Sequence, residues 1–388
     1  MIGAANIEGR LGIHIGPARG QVEIDSTRPL LASRLFEGKT IDEVLKTVPL
    51  LFNVCGRAQS VAAIRAIESA QQTPAAAPVE QGRGLLIKLE TLREHLWRVL
   101  LEWPEFHGQR RETVSLAGWM ADIQAINVLI DPGGRLCREP GLSEAPAASD
   151  ELRRRLATLC DSLGQGLFGC PPQRFATFDA EALGDWVDNS DTPASCMLQF
   201  VHDQGWEALG PTSTEVLPAL PAEALRARID AGDADAFIAR PTWDGRPRET
   251  GPAARHSRHR LITGLEDRYG RGLLVRLAAR LLDMAETIAG LQGPFEGDRP
   301  MPEVPGLCQL EAARGWLCHR VLLEGDRIER YRILAPTEWN FGPEGPAARA
   351  LADIAGRPVD IARTQAQLLI HAIDPCVGYD LEVKSSDA

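Results

Sequence analysis

The chain has 388 residues, 44% hydrophobic and 24% charged, enough apolar material for one or two packed domains. A net charge of -11 argues against a general nucleic-acid binder, which would carry a basic face. No run of about 18 or more apolar residues stands out, so no membrane span is predicted. The segment from Met1 to Arg10 lacks the basic head and apolar run of a secretory signal, so the expected location is cytoplasmic.

In chain order, Ile13 and Ile15 alternate with His14, Gly16, Pro17 and Gly20 punctuate, and Val22 and Ile24 resume; this predicts a hairpin. Thr40 opens a helix from Ile41 to Val48 that leads into Pro49, and a second helix runs from Val61 to Ala70. The stretch 71–84, rich in Pro, Ala and Gln, reads as a loop. Leu85, Leu86, Leu89, Leu92, Leu96, Val99, Leu100 and Trp103 then share one helical face. Lys88, Glu90, Arg98 and Glu102 lie elsewhere on that helix, and Pro104 ends it. Shorter helices are predicted near Glu151 to Leu163, Ala180 to Val187 and Pro221 to Ile229. A second strong amphipathic helix carries Leu273, Leu274, Leu277, Leu281, Met284 and Ile288, with Arg276, Arg280 and Glu286 on its wet side and Gly290 at its end. From Gly315 the pattern turns to strand: Trp316 to Leu323, the turn Glu324-Gly325-Asp326, then Ile328 to Leu334. Helices from about Pro346 to Ile354 and Thr364 to Ala372 close the chain. No repeat of fixed period occurs. The reading is α+β, predominantly helical, with short hairpins near both ends, in one domain spanning 1–388.

The eight cysteines stand at 55, 137, 160, 170, 196, 308, 318 and 376. None forms a CxxC pair, so neither a zinc ribbon nor a thioredoxin motif is present. In a reducing compartment they are buried thiols or reactive ligands, not disulfides.

Five ordered segments carry a family resemblance. Ile7-Glu8-Gly9-Arg10 is similar to an I-E-G-H element, and Val54-Cys55-Gly56-Arg57-Ala58 to a C-G-x-C motif. Gly251-Pro252-Ala253-Ala254-Arg255 is similar to G-P-L-A-R. Glu311-Ala312-Ala313-Arg314-Gly315 is similar to E-x-P-R-G, and Pro336-Thr337-Glu338-Trp339-Asn340 after it to P-T-T-W-N. Asp374-Pro375-Cys376-Val377-Gly378-Tyr379 stands where D-P-C-x-x-C is expected. Each motif alone is weak; all five in order resemble the large subunit of nickel–iron hydrogenases, with 105–245 matching only loosely.

The departures matter as much. The family's thiolates come as two CxxC pairs, the first of each binding nickel and the second bridging nickel and iron. Cys55 and Cys376 keep the first positions, while Ala58 and Tyr379 occupy the bridging ones. The resemblance therefore implies that no four-thiolate nickel–iron site forms, that no nickel is held and that the chain is not an enzyme. Two family histidines become Ala62 and Glu382, and only six residues follow Glu382, so no cleavable extension is expected. This combination resembles the HupK/HoxV group of hydrogenase expression and formation proteins. The resemblance implies a non-catalytic scaffold that carries an Fe(CN)2CO fragment, receives it from a HypC-type chaperone with its HypD-type partner, and passes it to the apo large subunit.

On that reading Cys55 and Cys376 are the iron ligands, since soft thiolates suit iron far better than magnesium or calcium. Cyanide nitrogens hold negative charge and need donors in a low-dielectric pocket, a role that falls to Arg314 and the Thr337 hydroxyl. Asp374 would orient Arg314 or the Cys376 loop, Pro375 fixes the backbone ahead of it, and Glu8 reads as a hydrogen-bonded carboxylate near the pocket. His14, His319 and His371 are ordinary core or surface groups. The cluster from Arg255 to Arg260 reads as a solvated basic face, or a docking patch for an acidic partner. A different class of function stays open: a metal-free interaction protein that binds assembly chaperones or the apo large subunit through its shape.

Overall fold

Leucine-rich stripes set the frame, because each long helix can bury its stripe only against another. The computed structural model describes residues 9–27, 30–52, 54–146, 149–292 and 304–384. The first elements are β1 (Arg10–Ile15), β2 (Val22–Ser26), α1 (Ile41–Leu51), α2 (Gly56–Gln71), α3 (Ala77–Trp97), α4 (Trp103–Phe106), α5 (Thr113–Ile130) and α6 (Asp150–Leu163). The middle holds α7 (Pro172–Phe175), α8 (Ala180–Asp188), α9 (Pro193–Asp203), α10 (Ala222–Asp230), α11 (Ala234–Ala239), α12 (Pro252–Arg255), α13 (Arg260–Tyr269) and α14 (Leu273–Gln292). The chain then forms β3 (Leu307–Ala312), β4 (Gly315–Glu324), β5 (Arg327–Leu334), α15 (Pro336–Asn340), α16 (Pro346–Ala352), α17 (Val359–Ile373) and β6 (Gly378–Val383). The architecture is α+β and mainly helical, as the sequence predicts.

Helix α14 lies against α3, α6, α13 and α17, and α2 packs between α1, α3 and the sheet of β3 and β4. The alanines of α2 allow that close approach on several sides. Thr40 caps α1 reciprocally with Glu43, and Pro49 sits within the helix instead of ending it. The stretch 71–84 is a loop only over 72–76, since α2 ends at Gln71 and α3 begins at Ala77. Pro78 is tolerated in the first turn, where its missing N–H has no partner to lose. Gly82 follows where a Cβ would come within 2.7 Å of Leu136 Cδ1. Nor does Pro104 end the long helix: a π-helical turn, Arg98–Glu102, leads into α4, with Pro104 in its first turn. Gly290 likewise lies inside α14.

Arg276 and Arg280 do not face solvent. Each is at most 2% exposed, because a buried carboxylate meets it: Glu249 for Arg276 and Asp374 for Arg280. Helix α5 also departs from expectation, as its 18 residues are long and apolar enough to cross a membrane. Its Leu116, Trp119, Ile123, Ile126 and Ile130 are buried on the side that packs on α3 and α6.

Both predicted hairpins form, and each gains a third strand. β1 pairs antiparallel with β2 and parallel with β6, so Leu11 stands opposite Tyr379 and Arg10 opposite Gly378. β3, β4 and β5 form an antiparallel meander. One apolar cluster holds most of the molecule, while a smaller one gathers Leu225, Ile229, Phe237, Trp316 and Trp339 around β3 to β5.

The motifs lock into one another at that meander. Asn340 exchanges two hydrogen bonds of 3.0 Å with the backbone of Thr250, whose hydroxyl accepts the Trp316 N–H at 2.9 Å. Gly251 and Gly315 have φ of 113° and 130°, and the turns press together there. A Cβ on Gly315 would stand 2.7 Å from the Gly251 nitrogen. Gly315→Ala is therefore expected to cost about 1–3 kcal/mol, read as a lower urea midpoint.

Candidate functional site

Cys55 is the residue that opens α2, and its side chain caps nothing. The cap comes instead from α3: Glu90 accepts the N–H groups of Arg57 at 2.7 Å and Ala58 at 2.9 Å. A carboxylate suits the positive end of a helix. Burial nevertheless pushes Glu90 up to about 7, against the pull of those two N–H groups. One turn later, Arg93 donates to the Val54 carbonyl at 2.9 Å. Two residues of α3 thus fix the backbone on either side of Cys55.

Cys376 arrives from the other end of the chain. Helix α17 ends at Asp374, whose φ of 68° turns the backbone out of the helix. The Cys376 N–H donates to the Thr337 hydroxyl at 3.0 Å. Thr337 therefore accepts from the loop with its oxygen and keeps its own O–H proton to donate. The two thiols come into hydrogen-bonding contact, and this contact, with burial, holds Cys55 well above the usual thiol range. Gln59 reaches Cys55 Sγ from one turn along α2, at 3.6 Å. His319 donates through Nε2 to the Gln59 carbonyl oxygen and accepts from the Tyr331 hydroxyl at Nδ1, both at 2.7 Å. Burial pushes His319 down to about 3, so it is neutral and structural.

Asp374 is the electrostatic centre. It is 3% exposed and receives three guanidiniums: Arg98 at 2.7 and 3.1 Å, Arg314 at 3.0 Å and Arg280 at 3.2 Å. Those cations hold it well below the usual carboxylate range. Arg314 also donates to Glu94 at 3.0 Å, and the Cys376 side chain is among the groups that act on its charge. The structure thus brings Cys55, Cys376, Arg314, Thr337 and Asp374 to one place. Glu8 lies outside the described residues. Ala58 is buried behind Cys55, and the Tyr379 hydroxyl points to His371 Nε2 at 3.2 Å. Among the described residues no three of His, Cys, Asp and Glu are placed to hold a metal ion.

A second carboxylate hub lies three residues along α14 from Arg280. Asp283 takes Arg255 at 2.6 and 2.8 Å, His256 at 2.7 Å and His95 at 2.9 Å. Arg255 continues to Glu311 at 2.8 Å, which ties the third motif to the fourth. His259 caps α13 by accepting the Leu261 N–H. The basic cluster is thus exposed only at Arg258 and Arg260, while Arg255 and His256 turn to the buried Asp283 and His259 to the Ala176 carbonyl.

Sequence reasoning missed Glu90, Arg93, Arg98 and Arg280 as parts of the site. The signal was present along α14, where Arg276, Arg280 and Asp283 recur at helical spacing on the apolar side.

The comparisons fit this geometry. A family model described as nickel-dependent hydrogenase matches residues 276–379. The hydrogenase expression/formation protein HoxV of Cupriavidus necator is 33% identical, with 100% of this chain and 98% of that one covered. HupK of Azotobacter vinelandii is 31% identical, over 97% of this chain and 98% of its own. The chain belongs to the hydrogenase expression/formation protein family. Its fold is that of the hydrogenase large subunits: a nickel–iron–selenium hydrogenase from Desulfovibrio vulgaris Hildenborough aligns with a TM-score of 0.63 at 16% identity, covering 95% of this chain and 93% of that one. The match to members of the family extends through 105–245, where the motifs fade.

Two outcomes are expected in this family member. Asp374→Asn leaves three buried guanidiniums short of a counter-charge and should lower unfolding free energy by about 3–5 kcal/mol in urea titrations. For Glu90 the raised value means that the folded form keeps a proton the unfolded chain has lost. Its contribution is whole below pH 4.5 and is lost as pH rises to about 7. Relative to Glu90→Gln, the wild type should therefore lose on the order of 3 kcal/mol across that window.

Proposed function

We propose that this chain acts in hydrogenase maturation as a non-catalytic scaffold, holding an Fe(CN)2CO fragment between Cys55 and Cys376 before the apo large subunit receives it. One observation carries the reading: thiols from opposite ends of the sequence meet beside Arg314 and Thr337. The names of the relatives support the maturation role, since each is an expression/formation protein.

The chemistry is cargo chemistry. An iron that brings its own cyanide and carbonyl ligands needs few protein bonds, and two thiolates supply them without a third protein ligand. Ala58 and Tyr379 stand at the positions of bridging cysteines, so the grip stays at two sulfurs and the fragment can be surrendered. Arg314 and the Thr337 O–H are donors for cyanide nitrogen. Burial and the neighbouring Cys376 hold the Cys55 thiol well above its usual range, so loading would release its proton. A HypC-type chaperone with its HypD-type partner is the proposed donor.

The experiment is an infrared spectrum of protein purified anaerobically from a host with the full maturation machinery. Two cyanide bands and one carbonyl band are expected, absent in Cys55→Ala and Cys376→Ala. A blank window with no iron by elemental analysis, alongside intact maturation by both variants, sinks the cargo reading. That outcome selects the metal-free interaction protein.

A further inference from the structure

Strand β3 is an edge. It pairs only with β4, so among the described residues no strand lies along its other side. The ladder shows which groups that side carries. Trp316 stands opposite Glu311 but donates its N–H to the Thr250 hydroxyl, and the Val321 N–H goes to the Gly306 carbonyl. In an antiparallel ladder, residues that bond across alternate with residues that turn N–H and C=O outward. Cys308 and Leu310 therefore bond to β4, while Gln309 and Glu311 present their backbone groups to the open side. Among the described residues, those two N–H and two C=O groups have no hydrogen-bond partner.

The open side lies in a groove of about 710 Å³ whose walls differ in chemistry. On the face shared by Gln309 and Glu311 stand Ala219, Leu220 and Trp316, with the Gln309 amide donating to the Leu220 carbonyl at 3.3 Å. On the face of Leu310, helices α3 and α14 contribute Lys88, Thr91, Glu286 and Thr287. Arg255 stands at one end, bound to Glu311 and to the Ala312 carbonyl. Proteins usually blunt an open edge with a bulge, charges or a cover. Here β3 runs against β4 without a register shift, and Glu311 is the one charged residue in it.

Donors and acceptors at the two-residue repeat of a strand match an extended polypeptide backbone. A small molecule lacks that repeat. Edge-to-edge pairing of two β3 strands is blocked, because each lies between the walls of its own groove. We infer that the β3 groove is a docking site for an extended segment of another protein, which adds to the sheet as a fourth strand beside Gln309 and Glu311. Its alternate side chains are apolar toward Leu220 and Trp316 and polar toward Lys88, Thr91 and Glu286. The strand runs on through Ala312 and Ala313 to Arg314, so the docked segment lies close along the chain to a member of the cysteine site. The docking uses neither cysteine and goes beyond the scaffold reading.

The test uses the full-length chain and a short fluorescent peptide that alternates valine with threonine, lysine and glutamate. Residue-resolved hydrogen exchange and fluorescence anisotropy are followed together. In the chain alone, the Gln309 and Glu311 amides should exchange fast and those of Cys308 and Leu310 slowly. The peptide should bind saturably and slow exchange at Gln309 and Glu311. N-methylation of one alternate set of peptide amides should weaken binding about tenfold or more, while methylation of the other set leaves it unchanged, because only one set faces the edge. Gln309→Pro removes one outward N–H, keeps the ladder to β4 and should weaken the peptide in the same way. Equal binding by both methylated peptides, or no saturable binding by the parent peptide, overturns the docking site. Slow exchange at Gln309 and Glu311 in the isolated monomer also overturns it, since the chain then covers its own edge. Protection that vanishes as a dimer dissociates on dilution overturns it in favour of a second copy. If the proline variant does not fold, the two methylated peptides decide. No iron fragment is present, so failure here is distinct from a blank cyanide and carbonyl window in protein from the maturing host.

Discussion

The rest of the site depends on one buried carboxylate. Asp374 sits at the end of α17 in a left-handed conformation that a non-glycine residue adopts at some cost. Arg98 from the turn after α3, Arg280 from α14 and Arg314 from the turn before β4 all reach it. Without Asp374, Arg280 would lose its carboxylate partner, while Arg98 and Arg314 would keep only Glu102 and Glu94; without the arginines Asp374 would be an unpaired buried anion. Together they satisfy one another and fix where the next two residues, Pro375 and Cys376, must go. The ion cluster is thus less a source of stability than a device for placing one sulfur.

The other sulfur is placed by a different principle. Cys55 begins a helix whose exposed N–H groups need an acceptor, and Glu90 supplies it from the neighbouring helix. The arrangement holds α2 against α3 and sets the cysteine loop, with Arg93 as its second clamp. Burial and the contact with Cys376 favour the neutral form of Cys55, while Cys376 acts on the charge of the Arg314 guanidinium.

The large-subunit fold reaches this end by joining remote parts of the chain. β6 adds to β1 in parallel, and the two three-stranded sheets tie the motifs to the long helices. Arg255, Glu311 and Asp283 form one network, and Thr250, Asn340 and Gly315 another. Positions that carry family motifs therefore serve mainly as mutual supports.

The sequence by itself determined the helical frame, the two hairpins and the cluster of Cys55, Cys376, Arg314, Thr337 and Asp374. Periodic leucines, turn residues and ordered motifs are local signals, and local signals survive in one dimension. It misread 71–84 because composition records proline and alanine but not the first-turn position that makes Pro78 harmless. It missed β6 because that strand's partner lies at the opposite end of the chain. It placed Arg276, Arg280 and Glu90 on wet faces because charge is a surface signal until a buried partner is known. Only the tertiary structure decided those pairings, since whether a charge can be buried is fixed by what stands opposite it in space.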